Sequence, residues 1–297
     1  MVIAATGFFD GVHIGHRAVL STLCKRAEKE GARSVVITFW PHPRAVLQNE
    51  AEKFRLLNSL QEKKELIMDY GVDQVFVLSF TREFSLMSAK TFFTDCLQSQ
   101  YGVTHLVVGY DHRIGHDAHS LKIPLETAAK EAGIDLIRVG ETLCDGKVVS
   151  STKIREAICL GAMEQANRWL GYSYGLQGVV VEGNRLGRTM GFPTANMRLY
   201  EPLKQLPADG VYAVEVVQMD TCYRGMMNIG FRPTVGQNQG RTIETHIFDF
   251  DQNIYGLPLM VYPLYRLRGE QTFDSMEALK QQLTIDKEAC ISWFSNR

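Results

Sequence analysis

Residues Gly7–His16 read GFFDGVHIGH and follow directly on the apolar run Val2–Ala5. A strand that ends in a glycine-rich turn and leads into a helix is typical of α/β folds that bind phosphate. Glycines let backbone amides approach an anion, and a helix N-terminus offers unpaired N–H groups and a positive dipole end. His13 and His16 are expected on one face of the first turn, where both rings reach one phosphate group. The alternative is a glycine-rich turn whose histidines are structural.

The first half of the chain alternates short β-branched runs with longer helix-forming segments. The predicted strands are Val2–Thr6, Ser34–Phe39, Gln74–Leu78, His105–Gly109 and Asp135–Val139. The predicted helices between them are Ala18–Lys29, Ser59–Tyr70, Ser88–Gln100 and Ile123–Ala132. Apolar strands separated by helices predict a doubly wound parallel sheet that is covered on both faces. Ligands bind such sheets beyond the carboxyl ends of the strands, where Gly7–His16 and Gly109–Gly115 are expected to lie.

The period of the pattern changes after two short predicted helices, Thr152–Leu160 and Met163–Leu170. Five strand-like runs follow with turn residues between them: Leu176–Glu182, Val211–Val217, Tyr223–Ile229, Thr242–Phe248 and Leu259–Arg268. Consecutive strands without intervening helices predict an antiparallel barrel or sandwich. Ser275–Ser295 is predicted as a closing amphipathic helix with Ser275 as its N-cap. These patterns place two domains at residues 1–172 and 173–297.

The composition supports a globular protein and excludes several classes of function. The chain has 297 residues, 45% of them hydrophobic and 22% charged, which is enough for two domains with sizeable cores. A net charge of -1 argues against a broad nucleic-acid-binding surface. We expect no membrane-spanning segment and no secretory leader, because no apolar run is long enough. The six cysteines are scattered without a CxxC pair, which favours reduced thiols in the cytoplasm over disulfides or a zinc site.

Two further motifs of the first half carry polar groups suited to a nucleotide. In VVSSTKIREAI, Ser151 and Thr152 stand at a predicted helix start with Arg155 in the first turn, where cations are favoured if an anion is bound. A plain serine or threonine cap with surface cations is the alternative. The string VVGYDHRIGHDAHS contains Asp111 and three histidines, and it suits a loop that lines a nucleotide better than a metal site. His42 of TFWPHP is either structural or turned toward a ligand.

The second half has its most specific string at Gly183–Met197, GNRLGRTMGFPTANM. Alternation along an extended strand places Thr194 and Asn196 on one side, a suitable oxygen pair for a hard cation such as Mg²⁺. A glycine and proline turn with hydrogen-bonding side chains is the alternative. Glu244 is expected on the inner side of a small barrel, with its neighbours Ile243 and Thr245 on the other face. A carboxylate in that position is costly unless it is paired or functional.

Together, the strings GFFDGVHIGH, TFWPHP, VVGYDHRIG, SSTKIR, PTAN, MNIGFRPT and IETHIFDF resemble the bacterial bifunctional riboflavin kinase/FMN adenylyltransferase family. The resemblance implies an HxGH-type nucleotidyltransferase domain followed by a riboflavin kinase barrel. It implies phosphorylation of riboflavin to FMN in the second domain and adenylylation of FMN to FAD, with release of pyrophosphate, in the first. ATP is then the co-substrate, Mg²⁺ the metal, and riboflavin, FMN and FAD the small-molecule partners, with neither nucleic acid nor membrane involved.

The resemblance also implies roles for individual residues. For adenylyl transfer, the residues that bind ATP and its phosphates are Gly7, Phe9, His13, His16, Asp111, Ser151, Thr152 and Arg155, of which His13, His16 and Arg155 count as catalytic. For the kinase, Glu244 is the general base, and Thr194 and Asn196 hold the metal. The residues that bind ATP or flavin there are Gly187, Arg188, Gly191, Pro193, Thr194, Asn196 and Arg268. For Arg268 a salt bridge is the alternative role.

One loop departs from the family pattern. His112 and Ile114 stand where phenylalanines are common, and residues 116–119 replace much of a basic loop. An alternative function is therefore a riboflavin kinase whose adenylyltransferase module is impaired at residues 114–119. A second alternative is a regulator that binds flavin or nucleotide without turnover, which an intact PTAN string and Glu244 disfavour.

Overall fold

A computed structural model describes residues 1–47, 54–115, 125–183, 186–231 and 240–297. The chain forms two compact units, Met1–Ser151 and Thr152–Arg297. The predicted helices at 152–160 and 163–170 lie in the second unit, where Asn167 donates a hydrogen bond to the Pro263 carbonyl at 3.4 Å. The domain boundary at 172/173 stays a prediction.

The sheet of the first unit has five parallel strands in the order β3-β2-β1-β4-β5. Their bounds are β1 Val2–Thr6, β2 Arg33–Trp40, β3 Gln74–Ser79, β4 Val103–Gly109 and β5 Asp135–Val139. Every residue of β1 is buried, as expected of a central strand that is covered on both faces. The order reverses between β1 and β4, which opens a crevice at their carboxyl ends. The predicted doubly wound parallel sheet is confirmed.

The predicted helices of the first unit are present, with one shifted start, and two short helices, Pro43–Leu47 and Arg82–Ser85, were not predicted. Their bounds are α1 Ile14–Glu30, α2 Pro43–Leu47, α3 Leu60–Asp69, α4 Arg82–Ser85, α5 Ala89–Thr91 and α6 Leu125–Glu131. We predicted α1 from Ala18, but it begins four residues earlier because the His13 side chain caps it. It ends at Gly31, which has φ 59° in the left-handed region. Residues 123 and 124 of the predicted fourth helix lie outside the described residues.

A π-helix, Phe92–Gln100, continues directly from α5 where one α-helix was predicted. Its buried side chains are Phe92, Phe93, Cys96 and Leu97. Phe92 and Phe93 are adjacent in the chain, and the wider turn of the π-helix lets both of them pack in the core beside the sheet.

A short hairpin of β6 Leu143–Cys144 and β7 Lys147–Val148 precedes the end of the unit.

The second unit begins with α7 Ser151–Cys159, whose first residue belongs to the first unit, and α8 Met163–Leu170. A closed antiparallel barrel follows, in the order β10-β11-β12-β9-β8-β13. Its strands are β8 Leu176–Val181, β9 Ala195–Leu199, β10 Gly210–Gln218, β11 Thr221–Phe231, β12 Arg241–Ile247 and β13 Pro258–Arg268, and α9 spans Leu186–Thr189. Each of the six described barrel strands therefore pairs with a neighbour on both sides. The predicted barrel is confirmed.

The terminal helix α10, Met276–Ser295, covers one side of the barrel. Ser275 caps it as predicted, since its side chain accepts a hydrogen bond from the Ala278 amide at 3.1 Å. Cys290 and Phe294 of the helix pack in one apolar cluster with Phe248, the residue after β12. Across the described parts of both units, no helix is long and apolar enough to cross a membrane.

Candidate active sites

The loop between β1 and α1 is held in an unusual backbone conformation. Phe9 has φ 50° and Val12 has φ 35°, a region that side chains other than glycine rarely adopt, and Gly11 has φ 87°. Such strain persists only where the surroundings determine the conformation, and it is concentrated at functional sites. The loop leaves the carboxyl end of β1, at the crevice where the strand order reverses.

Three contacts anchor this loop. The buried Asp10 carboxylate accepts hydrogen bonds from the amides of Leu57 at 3.0 Å and Asn58 at 3.3 Å. The Lys63 ammonium donates to the Phe8 carbonyl at 3.0 Å, and burial lowers the pKa of Lys63 to about 8. The sequence analysis missed Asp10 and Lys63, because the contacts join residues far apart in the chain.

Ser151 supplies the third anchor. Its hydroxyl donates to the Asp10 carbonyl at 2.9 Å, so this residue supports the loop backbone. Its predicted contact with phosphate stays a prediction. Thr152 and Arg155 belong to the second unit, and their predicted phosphate contacts likewise stay predictions.

His13 and His16 lie together at the start of α1, as their spacing predicts. Their rings stack with centroids 3.7 Å apart and planes 16° apart. The Nδ1 atom of His13 accepts a hydrogen bond from the His16 amide at 3.3 Å, so His13 is neutral with its proton on Nε2. Phe9 is buried and meets the His16 ring edge-on at 5.2 Å. The two imidazoles therefore form one unit at the helix N-terminus.

The environment of the His16 imidazole disfavours its charged form. Burial first, and then the nearby His13, Lys63 and His112, hold its pKa well below the usual range. Its Nδ1 atom is buried and has no hydrogen-bond partner among the described residues. Our expectation of raised histidine pKa values concerned rings beside phosphate, so it applies to the ligand-bound site and stays a prediction.

An aromatic pocket of about 330 Å³ opens beside the loop. Gly7 and Phe8 line it from the loop, and His112 and Ile114 line it from the segment after β4. The remaining lining residues are Thr6, Phe39, Pro43, Leu47, Phe80, Phe84, Ser85, Met87, Phe92, Arg113 and Gly115. The two residues that depart from the family pattern thus face a common pocket with the loop. Residues 116–119 of the departing segment lie outside the described residues.

Asp111 and His112 behave differently at the end of β4. Asp111 is exposed in the turn after the strand and does not line the aromatic pocket, so its predicted place near the reacting groups stays a prediction. Burial lowers the pKa of His112 to about 4.

The sequence analysis did not identify the phenylalanines that line the aromatic pocket, because they are spread from position 8 to position 92 and come together only in the fold.

In the barrel, strand pairing brings the PTAN string to Glu244. Residues Asn196 and Glu244 lie directly opposite each other in the ladder between β9 and β12. The Thr194 hydroxyl donates to Glu244 Oε2 at 3.5 Å. Thr194 and Asn196 therefore share a side, as predicted, and Glu244 shares it with them.

Glu244 lies on the outward face of β12 rather than toward the barrel interior, which corrects our expectation. It occupies the same face of β12 as His246, and Phe248 continues that face into the cluster under α10. Ile243 and Thr245 are fully or almost fully buried on the opposite face, which fills the barrel. The prediction was wrong because alternation along β12 assigns its residues to two faces but does not determine which of the two faces α10 covers.

A pocket of about 260 Å³ adjoins this cluster. Arg188, Pro193, Thr194 and Asn196 line it, as the sequence analysis expected. The other lining residues are Val180, Gly183, Ala195, Thr245, Ile247, Phe250, Asp251, Gln252, Asn253, Ile254 and Tyr255. The segment 250–255 was not predicted as part of the site.

Glycines are required where the backbone passes close to this cluster. A Cβ on Gly183 would overlap the Asn196 amide group, and a Cβ on Gly187 would overlap the Phe192 carbonyl. Gly191 has φ 86°, which a side chain would strain. The glycines of the string therefore let the turn pack against the PTAN segment.

Thr194, Asn196 and Glu244 offer a hydroxyl, an amide and a carboxylate oxygen, the ligand types that Mg²⁺ prefers. Hard-cation chemistry thus fits the residues present. Within the ranges that the structure describes, no group of three or more histidine, cysteine or acidic side chains forms a metal site.

Arg268 forms a buried ion pair with α10. Its guanidinium donates to both Asp286 carboxylate oxygens, at 2.9 Å and 2.7 Å, and Gln282 donates to the same carboxylate at 2.9 Å. The salt-bridge alternative is thus present, and the predicted flavin contact stays a prediction.

We expect Asp286→Asn to destabilise the protein by about 2 kcal/mol, because the bidentate ion pair is lost and only one amide oxygen remains to accept from the Arg268 guanidinium. Urea unfolding of the barrel unit measures the change. Glu277→Gln, at an exposed position in the first turn of α10, is the control and should shift stability by less than about 0.5 kcal/mol. Equal stability of the Asp286→Asn protein and wild type would show that the pair contributes nothing.

The fold and the two sites define a two-unit nucleotide-dependent transferase. A strained loop stands at the switch point of a parallel sheet, and an oxygen cluster stands beside a barrel pocket. The FAD synthetase family model matches residues 1–153, and the riboflavin kinase family model matches residues 170–294. The chain belongs to the bifunctional riboflavin kinase/FMN adenylyltransferase family.

Relatives match this chain over nearly its whole length. A bifunctional riboflavin kinase/FMN adenylyltransferase of Listeria monocytogenes is 36% identical over 293 residues, with 99% of this chain and 92% of the relative covered. The protein of the same name from Escherichia coli is 35% identical over 294 residues, with 98% and 92% covered. A Streptococcus pneumoniae structure titled as a macrolide-efflux protein superposes with a TM-score of 0.90 at 33% identity, covering 98% of this chain and 94% of that one.

Proposed function

We propose that this chain phosphorylates riboflavin to FMN at the Glu244 cluster and adenylylates FMN to FAD at the His13–His16 loop. The observation that carries the proposal is the convergence of Thr194, Asn196 and Glu244 through one strand pair, beside a pocket. Chromatography after incubation with riboflavin and Mg-ATP tests it. Both FMN and FAD should appear, and FMN without FAD would contradict the bifunctional assignment.

For the kinase step, Glu244 acts as the general base. A riboflavin hydroxyl is a weak nucleophile, so its proton passes to the Glu244 carboxylate as the oxygen attacks the γ-phosphorus of ATP and ADP leaves. Thr194 and Asn196 would hold Mg²⁺, which neutralises phosphate charge when bound. Arg188 lines the same pocket and supplies a cation for the nucleotide phosphates.

For the adenylyl step, the enzyme positions two phosphates and needs no base. An FMN phosphate oxygen attacks the α-phosphorus of ATP, and pyrophosphate leaves. The attacking oxygen is already anionic. The paired imidazoles at the N-terminus of α1 donate hydrogen bonds to the phosphate oxygens and balance the charge that develops there.

The aromatic pocket suits the flavin ring. Phe39, Phe80 and Phe84 supply ring faces and edges beside the phosphate loop, and flavins stack well on such side chains. Placing the ring there brings its phosphate tail toward Gly7 and the loop. His112 and Ile114 would contact the ring, and burial keeps His112 neutral in this apolar site.

A kinase with an impaired first domain is the second candidate, and the altered residues after β4 motivate it. The match of the FAD synthetase family to residues 1–153 supports the bifunctional assignment instead. The free thiol form of all six cysteines supports a cytoplasmic location.

We expect nucleotide binding at the first site to take up a proton. The His16 pKa is depressed without ligand, and a bound phosphate raises it, so binding strengthens as pH falls through the raised pKa of the complex toward the depressed pKa of the free site. Calorimetry with a non-hydrolysable ATP analogue in two buffers of different ionisation enthalpy measures the uptake. His16→Gln is the control. The nucleotide and the kinase site also exchange protons on binding, and subtracting the His16→Gln signal from the wild-type signal leaves the contribution of His16. Identical proton uptake in both proteins would contradict the expectation.

A further inference from the structure

His246 lies on the same face of β12 as Glu244, two residues further along the strand. It is buried, with 7% of its surface exposed. Its Nδ1 atom lies 2.8 Å from the Pro193 carbonyl oxygen. Glu244 of the same strand accepts a hydrogen bond from the Thr194 hydroxyl at 3.5 Å. The strand β12 therefore contacts Pro193 and Thr194, two consecutive residues of the PTAN segment.

The contact fixes the tautomer of His246. A carbonyl oxygen only accepts hydrogen bonds, so Nδ1 carries the proton and donates it. The Nε2 atom is buried and has no partner among the described residues. Phe192 and Phe248 meet the ring at centroid distances of 5.3 Å and 5.7 Å. This apolar packing gives His246 a fixed orientation and a neutral Nδ1–H form.

The Pro193 carbonyl has no strand partner to fix it. The strand β9 begins at Ala195, and its ladder with β12 consists of the pairs Ala195–Thr245 and Asn196–Glu244. Pro193 therefore lies just beyond the ladder. Its carbonyl belongs to the peptide unit that joins Pro193 to Thr194, so holding that oxygen sets the plane from which Thr194 projects.

The contacts of His246 do not reach the reacting groups. Its Nδ1–H is used by a backbone carbonyl, and its ring is enclosed by Phe192 and Phe248. Its hydrogen bond to the Pro193 carbonyl links His246 to the backbone of the PTAN segment.

We propose that His246 is a positioning residue of the kinase, whose Nδ1–H holds the Pro193–Thr194 peptide so that Thr194 and Asn196 meet the metal-bound nucleotide. The proposal rests on the function proposed above for the Glu244 cluster. It predicts that substituting His246 changes the KM for Mg-ATP and leaves the KM for riboflavin unchanged.

Two amide substitutions separate this role from simple packing. His246→Asn places an amide N–H near the position of Nδ1, whereas His246→Gln carries it one methylene further. We expect His246→Asn to retain the wild-type KM for Mg-ATP within about threefold. His246→Gln should raise that KM by roughly tenfold, the size expected for one lost hydrogen bond, with the riboflavin KM unchanged. The riboflavin KM of the same proteins reports whether the barrel unit, which contains His246, is folded.

Nitrogen-15 NMR of the wild-type imidazole tests the proposal without a variant. The expected spectrum shows a protonated Nδ1 and an unprotonated Nε2, and the opposite or a doubly protonated form overturns the proposal. Equal KM values for His246→Asn and His246→Gln, or a matching rise in riboflavin KM, also overturn it. If Glu244→Gln retains FMN synthesis, the proposed kinase site fails. If Glu244→Gln is inactive but His246→Gln behaves as wild type, the positioning role alone fails.

Discussion

Glu244→Gln should lower the rate of FMN formation by about 10³-fold, while conversion of added FMN to FAD continues at the wild-type rate. The amide keeps the size of the side chain and its contact with Thr194, but it cannot accept the riboflavin proton. Because the substitution removes a group used only in the transition state, kcat should fall with little change in either KM. Product chromatography with riboflavin, and separately with FMN, measures both activities in one preparation.

Glu215→Gln is the matched control for this experiment. Glu215 lies on β10 of the same barrel, half-exposed and outside the pocket, and its ion pair with Arg297 at 3.9 Å is a weak surface contact. It should leave both activities unchanged. Loss of FAD formation together with FMN formation in Glu244→Gln would show that the residue or its domain is misassigned.

His16→Ala should have the reverse effect and lower the conversion of FMN to FAD by 10²- to 10³-fold, about the loss seen when one preorganised donor to a developing charge is removed. The alanine variant also loses the stacked partner of His13. FMN formation from riboflavin should stay at the wild-type rate, because the kinase cluster is built entirely within the barrel unit. Steady-state pyrophosphate release with FMN and Mg-ATP measures the loss.

Two further variants identify the cause of that loss. His16→Gln retains a neutral donor and should recover part of the rate, whereas a purely structural histidine would give the same loss for both substitutions. His105→Gln is a control on β4, where His105 lies toward the strand's opposite end beside Asp135 at 3.4 Å. Wild-type FAD synthesis by His16→Ala would refute a role for His16 in phosphate binding.

The sequence predicted the architecture well because both halves have a clear period. Solid apolar runs marked the five parallel strands, and the change to strands without helices marked the barrel. The π-helix after α5 was not predicted, because residue composition does not distinguish a π-helix from an α-helix and the wider turn accompanies the packing of both Phe92 and Phe93. The early start of α1 was missed because a histidine is an unusual N-cap.

The site residues were predictable where they belong to short contiguous sequence motifs. Thr194 and Asn196 share a side as alternation requires, and Glu244 joins them through the strand pair. Long-range anchors were not predictable, since Asp10 meets amides at positions 57 and 58 only after folding. The outward direction of Glu244 also depended on where α10 packs, which strand alternation alone does not determine.

The barrel closes through the same strand pair that carries the kinase cluster. The ladder between β9 and β12 contains two residue pairs, fewer than the nine between β10 and β11. Ring closure therefore has its shortest seam where the nucleotide is expected to bind. A ligand that contacts Thr194, Asn196 and Glu244 holds β9 and β12 together at their shortest ladder. Ligand binding therefore raises the free energy that is needed to open the barrel at this point.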